Sequence, residues 1–565
     1  MRLVHRVSWA VVLLLWAKTW AFAQPAATPE PEPGIPIHSE AVTKACGACH
    51  AADAKGCLTR ISYRRTTPEG WQETVRRMAT LNGAPVEPAQ AREVVRYLAN
   101  ELGLAPEEAR PAEFEVERRL IEFSYPDKDT ERTCQACHSI GRPMLQRRTG
   151  EEWELLVAMH RGYYPLVDFQ AFRNPAPPPA GPGPDGKPAD RRHPMDKALA
   201  HLKATYPLRT PEWSAWSANR RAPRLAGRWA LRASQIGRPT VFGELTITAK
   251  EGAVDEFTTE ARYAPAGGGP EIVRRGQALV YTGFQWRGRS SAGQEKEGLR
   301  EVMFVERDGQ TITGRWFTGA YDETGLDVTL QRISSASVVL GIAPRALRAG
   351  TTTAVRLYGV NLDPRVEARD VDFGPGVRVT RVAAAEGGLA ADVEVAADAP
   401  EGARDLFVGG VSAAGAAVVF KSVDALKVTP QAGLARLGGI RFAKRSEQFE
   451  ARGWSYGPDG KPDTKDDLDL GPIAVAWSID EFTAVFGDDD KAWAGTIDAG
   501  GLFTPAEDGP NPKRPGNRNN VGDLWVVATL PADSPLKPKG PLRARAHLIV
   551  TVPLYSRWDQ AEVAP

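Results

Sequence analysis

The chain has 565 residues, with 71 Lys and Arg against 70 Asp and Glu and a formal net charge of +1. This length exceeds what one hydrophobic core usually supports, so it predicts several domains. The near-zero net charge argues against nucleic acid as a partner, because a protein that follows phosphates needs a basic face. The 54 Gly and 45 Pro indicate many turns and much β-structure, and the five Cys are too few for a disulfide scaffold.

Residues 1–23 have the layout of a secretory signal peptide. Arg2 and Arg6 precede an apolar run over residues 7–16, and residues 21–23 (Ala-Phe-Ala) offer a small-x-small cleavage site. The run is well short of the ~20 apolar residues that span a bilayer. We therefore expect cleavage after Ala23 and a soluble, periplasmic mature protein with no membrane span. The Pro- and Ala-rich residues 24–36 are expected to form a flexible lead-in.

Two Cys-x-x-Cys-His motifs follow, a spacing typical of covalent c-type haem attachment. They are Cys46-Gly47-Ala48-Cys49-His50 and Cys134-Gln135-Ala136-Cys137-His138. The two thiols can form thioethers to the porphyrin vinyl groups, and the histidine is then held against the iron. One motif alone is also compatible with a redox dithiol, but two copies in an exported chain predict two haem c groups. Cys57 is left over and is expected to be a small buried thiol or to pair outside the chain.

The sixth iron ligands are sought by elimination and then by an internal repeat. In the first half, Met78 is the only Met between residues 41 and 104, and His50 is the only His there. The second half offers several candidates: Met144, Met159, His160, His193, Met195 and His201.

Segments 67–78 and 149–160 align, so that a Trp is followed seven residues later by Met78 in one copy and His160 in the other. Seven residues make about two helical turns, which puts the candidate on the same face as the Trp. The predicted axial pairs are therefore His50 with Met78 for haem 1 and His138 with His160 for haem 2. Met159, Met144 and an open site stay open as alternatives for the second iron.

The rest of the N-terminal region fits two small cytochrome c units, over residues 37–106 and 107–224. Segments 91–98 and 195–202 are predicted to be amphipathic helices that close each unit. A Pro-rich insertion, residues 173–194, interrupts the second unit and cannot be helical. Five arginines lie near the first motif in sequence, and each either pairs with a haem propionate or is solvated surface. They are Arg60, Arg64, Arg65, Arg76 and Arg77.

After residue 224 the pattern changes to short alternating runs between Gly-rich turns, which predicts antiparallel β-structure. Three domains are expected: a β-barrel over 225–333 and immunoglobulin-like sandwiches over 335–428 and 429–558. The strand segments that indicate them are 243–248, 277–281, 301–305, 314–317, 355–362, 473–478 and 524–529. The predicted fold class is thus multidomain α+β, with an α-helical dihaem cytochrome c region followed by three antiparallel β domains. These domains contain a single histidine, His547, so a His-based catalytic or metal constellation is not expected there.

On these residues the chain resembles the α subunit of quinohaemoprotein amine dehydrogenase. The resemblance is carried by both Cys-x-x-Cys-His motifs, segments 67–78 and 153–162, and three β domains that begin at residue 225. It implies the electron-transfer subunit of a periplasmic heterotrimer, with no catalytic residue in this chain. The implied partners are a β-propeller subunit and a small subunit whose cysteine tryptophylquinone oxidises a primary amine. The implied acceptor is a blue copper protein or a cytochrome c.

Methionine ligation raises haem potential relative to histidine, so the expected order of electron flow is quinone, haem 2, haem 1 and acceptor. Two alternative functions, from other classes of protein, stay open. One is a dihaem peroxidase-like enzyme working alone, which needs an open iron site. The other is a stand-alone cytochrome whose β domains bind a surface or polymer.

Overall fold

The computed structural model describes most of the chain between residues 32 and 553. The described residues are 32–113, 125–135, 138–164, 167, 186, 192–295, 298–318, 325–334, 336–440, 442–483, 489–536 and 538–553. The predicted signal peptide, most of the predicted lead-in, most of the Pro-rich segment 173–194 and Cys137 lie outside them. Within these ranges no helix is both long enough and apolar enough to cross a membrane.

The N-terminal region is helical. Its helices are α1 (Glu40–Cys46), α2 (Pro68–Asn82), α3 (Pro88–Glu101), α4 (Pro106–Ala109), α5 (Lys128–Gln135), α6 (Gly141–Met144), α7 (Gly150–Tyr163), α8 (Pro194–Thr205) and α9 (Pro211–Asn219). The two amphipathic helices predicted from the sequence are α3 and α8. In α3 the buried side chains, Val94, Val95, Leu98 and Ala99, recur with the helical period, so one face packs on the core.

The two copies of the sequence repeat have matching local structure. A two-strand antiparallel ladder joins them, made of β1 (Arg64–Thr66) and β2 (Gln146–Arg148). Each strand leads into a helix that is capped by a threonine hydroxyl: Thr67 accepts from the Gly70 amide and Thr149 accepts from the Glu152 amide. This pattern of extended residue, capping hydroxyl and helix is what a Ser or Thr N-cap produces.

The aligned tryptophans occupy equivalent buried positions. Trp71 and Trp153 are 1% and 0% exposed. Each indole donates to the carbonyl that ends its own unit: Trp71 to Leu102 at 3.0 Å and Trp153 to Tyr206 at 3.0 Å. Each tryptophan therefore ties the helix with the candidate sixth ligand to the closing helix of the same unit.

A closed eight-stranded antiparallel barrel follows the helical region. Its strands are β3 (Gly227–Ser234), β4 (Val241–Ala249), β5 (Glu256–Pro265), β6 (Ile272–Tyr281), β7 (Gln285–Ala292), β8 (Leu299–Val305), β9 (Thr311–Phe317) and β10 (Gly325–Arg332), and β10 closes onto β3. Large side chains fill the barrel, including the buried Trp229, Trp286 and Trp316. The Trp286 indole donates to Glu301 Oε2 at 2.8 Å, which gives this buried carboxylate a partner.

The helical region packs directly against the barrel. Leu279 and Tyr281 of β6 belong to the same hydrophobic core as Trp71. The carboxylate of Glu69 on α2 forms a buried ion pair with Arg287 of β7. The Thr282 amide, at the β6–β7 turn, donates to Asn100 Oδ1 at 2.6 Å. Apolar, ionic and hydrogen-bonded contacts thus hold the two domains together.

Two further β domains complete the chain. The first is a sandwich of β11 (Val338–Ala343), β12 (Ala346–Arg348), β13 (Thr352–Val360), β14 (Val371–Asp372), β15 (Val377–Ala385), β16 (Gly388–Val395), β17 (Gly402–Val408) and β18 (Val411–Phe420), with sheet orders β11-β13-β16-β15 and β12-β18-β17-β14. The second has three small sheets: β19 (Ala425–Thr429) with β22 (Glu450–Ser455) and β23 (Leu468–Pro472); β20 (Ala432–Arg436) with β28 (Leu542–Thr551), β27 (Gly522–Leu530) and β24 (Ala476–Glu481); and β21 (Glu447–Gln448) with β26 (Leu502–Pro505) and β25 (Gly495–Ile497). It also carries the short helix α10 (Asp490–Trp493).

The predicted fold class is confirmed: a helical N-terminal region precedes several antiparallel β-sheet domains. Segments 243–248, 277–281, 301–305, 314–317 and 524–529 all lie within strands. The strand predicted over 473–478 is wrong in its first half, because residues 473–475 connect β23 to β24. Ile473 and Val475 pack against a core cluster, so these residues are apolar because they are packed rather than because they are in a strand.

Candidate haem sites

Both Cys-x-x-Cys-His motifs begin where a short helix ends. Cys46 is the last residue of α1, and Cys134 lies in the last turn of α5. The Cys46 carbonyl accepts from the amides of Cys49 at 3.2 Å and His50 at 2.9 Å, which folds the motif into a turn. Ala136 and Cys137 lie outside the described residues.

This placement does not suit a redox dithiol. Reactive Cys-x-x-Cys thiols have lowered pKa values, often at the positive end of a helix. Here burial, together with the neighbouring Cys49, raises the pKa of the Cys46 thiol. Burial also raises the pKa of Cys134 to about 11. The position at the C-terminal end of each helix and the raised pKa values are thus the opposite of what a reactive dithiol shows.

Three of the predicted axial ligands have their ring orientation fixed by the backbone. His50 Nδ1 lies 2.8 Å from the Thr59 carbonyl, His138 Nδ1 lies 2.8 Å from the Ser139 carbonyl, and His160 Nδ1 lies 2.7 Å from the Leu156 carbonyl. A carbonyl can only accept a hydrogen bond, so Nδ1 carries the proton in each ring. Nε2 then carries the lone pair, which is the form of the ring that binds a metal in other histidine metal sites.

His138 and His160 face each other. Their ring centroids are 6.5 Å apart, with an angle of 43° between the ring planes. An imidazole nitrogen binds a metal at about 2 Å, so two rings that share one ion have centroids about 6 Å apart. Burial lowers the pKa of His138 to about 4, which keeps its ring neutral and able to act as a ligand. The separation of the two rings would allow both side chains to hold one haem iron.

The other candidates in the second half are engaged elsewhere. Met144 is buried in the large core and Met195 in a small one under α8. His193 caps α8 by accepting from the Met195 amide, and His201 Nε2 lies 2.9 Å from the Tyr125 hydroxyl. Met159 is half-buried on α7, one residue before the histidine that faces His138. Of these described residues, His160 is the one in ring contact with His138.

In the first half, the structure brings the motif and α2 to one core. Cys46 and Val75 both pack against the cluster that contains Trp71. Val75 lies three residues before Met78 and therefore on the same helix face, and Met78 is half-buried. Among the described residues, no hydrogen bond or ring contact joins Met78 to His50, and this pairing stays a prediction. The second half has a similar arrangement, with Cys134 and Leu156 packed against one core.

Arg65, one of the five arginines of the first unit, is part of a buried structural ion pair. Its guanidinium binds both oxygens of Glu108, at 2.7 and 2.8 Å, and Arg147 lies 3.0 Å from the same carboxyl group. Burial alone would raise the pKa of Glu108, but the two arginines overcome this effect and lower the pKa to about 2. Arg65 is therefore buried in the protein interior. It is neither solvated surface nor a partner of a haem propionate, the two roles expected for it.

Sequence reasoning missed the matching residues of the second unit. Arg147 and Arg148 are 7% and 4% exposed, yet they were not singled out. The available signal was the repeat itself, because consecutive arginines come shortly before the capping threonine in both copies.

Cys57 is buried, as expected. The described residues contain no group of three or more His, Cys, Asp or Glu side chains placed to hold a metal ion, and His547 is paired with Asp523.

The duplicated helical unit, with its cysteine motifs and facing histidines, defines a haem-binding protein with appended β domains. Sequence models of one family match almost the whole chain: the haem-binding region of the quinohemoprotein amine dehydrogenase alpha subunit at residues 37–175, and domains II, III and IV of that subunit at 222–333, 336–421 and 426–563. The chain belongs to the quinohemoprotein amine dehydrogenase alpha-subunit family. Membership implies a haem-bearing electron-transfer subunit of a multi-subunit oxidoreductase, and it confirms the resemblance.

Other comparisons add little. Comparison with curated proteins finds no significant match. Among solved structures, a redesigned beta barrel is 16% identical over 20% of this chain and 96% of its own, with a TM-score of 0.18. Human mucin-like protocadherin EC1-2 is 12% identical over 39% of this chain and 99% of its own, with a TM-score of 0.16. At these scores the similarities carry no argument about fold or function.

Proposed function

We propose that this chain is the dihaem electron-transfer subunit of a periplasmic amine dehydrogenase. Two haem c groups are attached through Cys46 and Cys49 and through Cys134 and Cys137, with His50, Met78, His138 and His160 as axial ligands. The observation that carries the proposal is the facing pair of His138 and His160, each with Nδ1 fixed on a backbone carbonyl. Family membership supplies the reaction class.

In this proposal the residues of this chain hold the haem groups and orient the side chains that bind their iron. When bound, haem iron supplies reversible one-electron transfer. The carbonyls of Thr59, Ser139 and Leu156 keep each Nε2 directed at its ligand position. Trp71 and Trp153 fix the helices that carry Met78 and His160. A methionine ligand raises the potential of a haem site relative to histidine, so Met78 and His160 make the two sites unequal.

The chemical step belongs to a partner in this proposal. A small subunit bearing cysteine tryptophylquinone oxidises a primary amine, a β-propeller subunit completes the heterotrimer, and a blue copper protein or cytochrome c accepts the electrons. Support comes from membership in an amine dehydrogenase family. Residues 1–23 act as the export signal, cleaved after Ala23.

Purification from the native source tests the assembly. We expect two further polypeptides to co-purify and the complex, but not this chain alone, to oxidise primary amines. Amine oxidation by the isolated chain would contradict the proposal. Sequencing of the mature N-terminus tests export, with Gln24 expected as the first residue.

Mass analysis of the mature chain tests the cofactors. We expect a mass increase equal to two haem groups. Replacing Cys46 and Cys49 with Ser should remove one group, and replacing Cys134 and Cys137 should remove the other. A ferric spectrum with two low-spin haems is expected, whereas a high-spin iron would favour a peroxidase-like enzyme.

A further inference from the structure

Four arginine side chains come together where the two units meet, and we name them the arginine cluster: Arg60, Arg64, Arg77 and Arg148. Arg64 and Arg148 are directly opposite each other across the β1–β2 ladder. Arg64 is 9% exposed, and its guanidinium lies 4.7 Å from the centre of the Trp71 ring. Arg60 and Arg148 bind the same carboxylate, and the charge of Arg77 acts on both Arg64 and Arg148.

The cluster holds more positive than negative charge. Glu152 is its buried carboxylate, 2.7 Å from Arg60 Nε and 3.4 Å from an Arg148 terminal nitrogen. Arg148 also donates to the side-chain carbonyl of Gln146 at 2.7 and 3.0 Å. The other nearby carboxylate, Glu73, is partly exposed and lies 4.0 Å from Arg142. Glu152 therefore pairs with two of the four guanidinium groups.

Arg64 and Arg77 are the two members without an anionic partner. Arg64 donates to the Thr74 hydroxyl at 3.0 Å, but across the described residues neither guanidinium forms an ion pair. The Nε atoms of both are buried and have no hydrogen-bond partner. Burial lowers the pKa of Arg64 well below its usual value, and the charges of Arg148 and Arg77 lower it further. The pKa of Arg148 falls to about 10, chiefly through burial, with Arg60 and Arg77 also lowering it.

Buried charge without a counter-charge is strongly destabilising. A lysine or histidine could lose its proton in such a place, but arginine stays protonated in proteins. The remedy left is an anion that docks against the guanidinium groups. A carboxylate is the best match, because two parallel N–H groups of arginine bind its two oxygens.

We propose that Arg64 and Arg77 bind the propionate carboxylates of the haem attached at Cys46 and Cys49. Both arginines belong to the first unit, and Arg77 lies on the helix that carries Met78. The cluster contacts Trp71, whose core also includes Cys46. The inference rests on the proposed function only in requiring that the chain carry haem. It assigns two of the five arginines left open by the sequence.

Potentiometric titration of the complete complex tests this inference, using Arg64→Gln and Arg77→Gln. A cation beside a haem favours its reduced form, so each variant should lower the potential of the first haem. We expect the ratio of reduced to oxidised haem at a fixed potential to fall about tenfold, which is 59 mV for one electron. Arg76→Gln is the matched control, because Arg76 is exposed and lies on the same helix. Arg77→Lys keeps the charge and should lie closer to the wild type.

The possible outcomes separate the two proposals. Unchanged potentials in both Gln variants, with two haems still attached, would overturn the propionate site and leave the electron-transfer role intact. A shift confined to the second haem would also overturn it, because the carboxylates would then belong to the other group. If Arg64→Gln does not fold, Arg77→Gln and Arg77→Lys decide the question, since Arg77 is only partly buried. A wild-type protein without haem would instead refute the proposed function.

Discussion

Backbone carbonyls orient the histidines at the candidate haem sites. Thr59, Ser139 and Leu156 provide these carbonyls, and Leu156 lies one helical turn before His160. A backbone acceptor persists whatever the side chain at its position. Ligand orientation in this protein should therefore tolerate side-chain substitution at Thr59, Ser139 and Leu156 better than a side-chain acceptor would.

Replacing His160 should open one iron site. We expect His160→Ala to convert one of the two low-spin haems to a high-spin form, because the ring that faces His138 is lost. Met159→Leu is the matched control and should leave both haems low-spin. Absorption and electron paramagnetic resonance spectra of the ferric protein measure the change. If Met159→Leu converts the haem to a high-spin form instead, the iron ligand is Met159 and not His160.

The Glu108 carboxylate should make the stability of the helical region depend on acid pH. Its pKa is about 2 in the folded state against 4.5 ordinarily, so its contribution is present above pH 4.5 and is lost as the pH falls towards 2. The shift corresponds to about 3 kcal/mol. Denaturant unfolding at pH 7 and pH 3 should show about 2 kcal/mol of this loss in the wild type and a smaller loss in Glu108→Gln.

The same substitution removes one partner of a buried pair and should destabilise the protein by about 3–5 kcal/mol at pH 7. Glu107→Gln is the control, because Glu107 is exposed and its pair with Arg307 at 3.1 Å is expected to contribute at most about 1 kcal/mol. Equal stability of the two variants would show that the Arg65–Glu108–Arg147 group is not a stabilising unit.

At the scale of elements, particular residues in the sequence mark where several helices begin. Five of the helices begin with proline: Pro68, Pro88, Pro106, Pro194 and Pro211. Proline suits a first helical position because its fixed φ is helical and its missing N–H is not needed there. Thr67, Thr149 and Thr210 supply capping hydroxyls.

The two aligned caps should contribute similar free energies. Thr67→Ala and Thr149→Ala should each destabilise the helical region by about 1 kcal/mol, because each hydroxyl accepts a hydrogen bond from an otherwise unpaired amide. Thr80→Ala is the control, since its exposed hydroxyl only donates to the Arg76 carbonyl within the helix. Denaturant titration followed by haem absorbance reports on this region. No effect at either cap would mean that tertiary packing alone fixes where α2 and α7 begin.

At the scale of the molecule, the helical region and the barrel form one packed unit. The Glu69–Arg287 pair is buried on both sides, at 4% and 2% exposure. Arg220 lies shortly before the first barrel strand in the chain, and it binds Glu101 at the end of α3 at 2.6 Å. We infer that these contacts limit movement of the helical region relative to the barrel.

Breaking this pair should loosen the two domains. Arg287→Met leaves the buried Glu69 carboxylate without its partner, with an expected cost of about 3–5 kcal/mol. We expect faster proteolysis within residues 220–226 and separate unfolding of the haem and barrel signals. Arg228→Gln, which removes an exposed pair with Glu244 at 2.6 Å, should change stability by less than about 1 kcal/mol. A single unfolding transition in Arg287→Met would show that apolar contacts suffice.

Prediction from sequence succeeded where the signal was local. The helices α3 and α8 and most of the strand segments followed from the spacing of apolar residues. It was wrong at residues 473–475, because an apolar run in a packed connection looks like a buried strand. It left Arg65 undecided between surface and haem propionate, although the side chain is fully buried on Glu108.

The sequence by itself determined the cysteine motifs, the repeat and the alternation of the strands, because these depend on neighbours a few residues apart. Only the tertiary structure decided which arginines are buried and what they meet. Arg64 faces Arg148, and Glu108 lies between Arg65 and Arg147, because the β1–β2 ladder joins distant segments. The charge of an arginine is the same at every position in a sequence, whereas its burial and its partners depend on which surfaces the fold brings together.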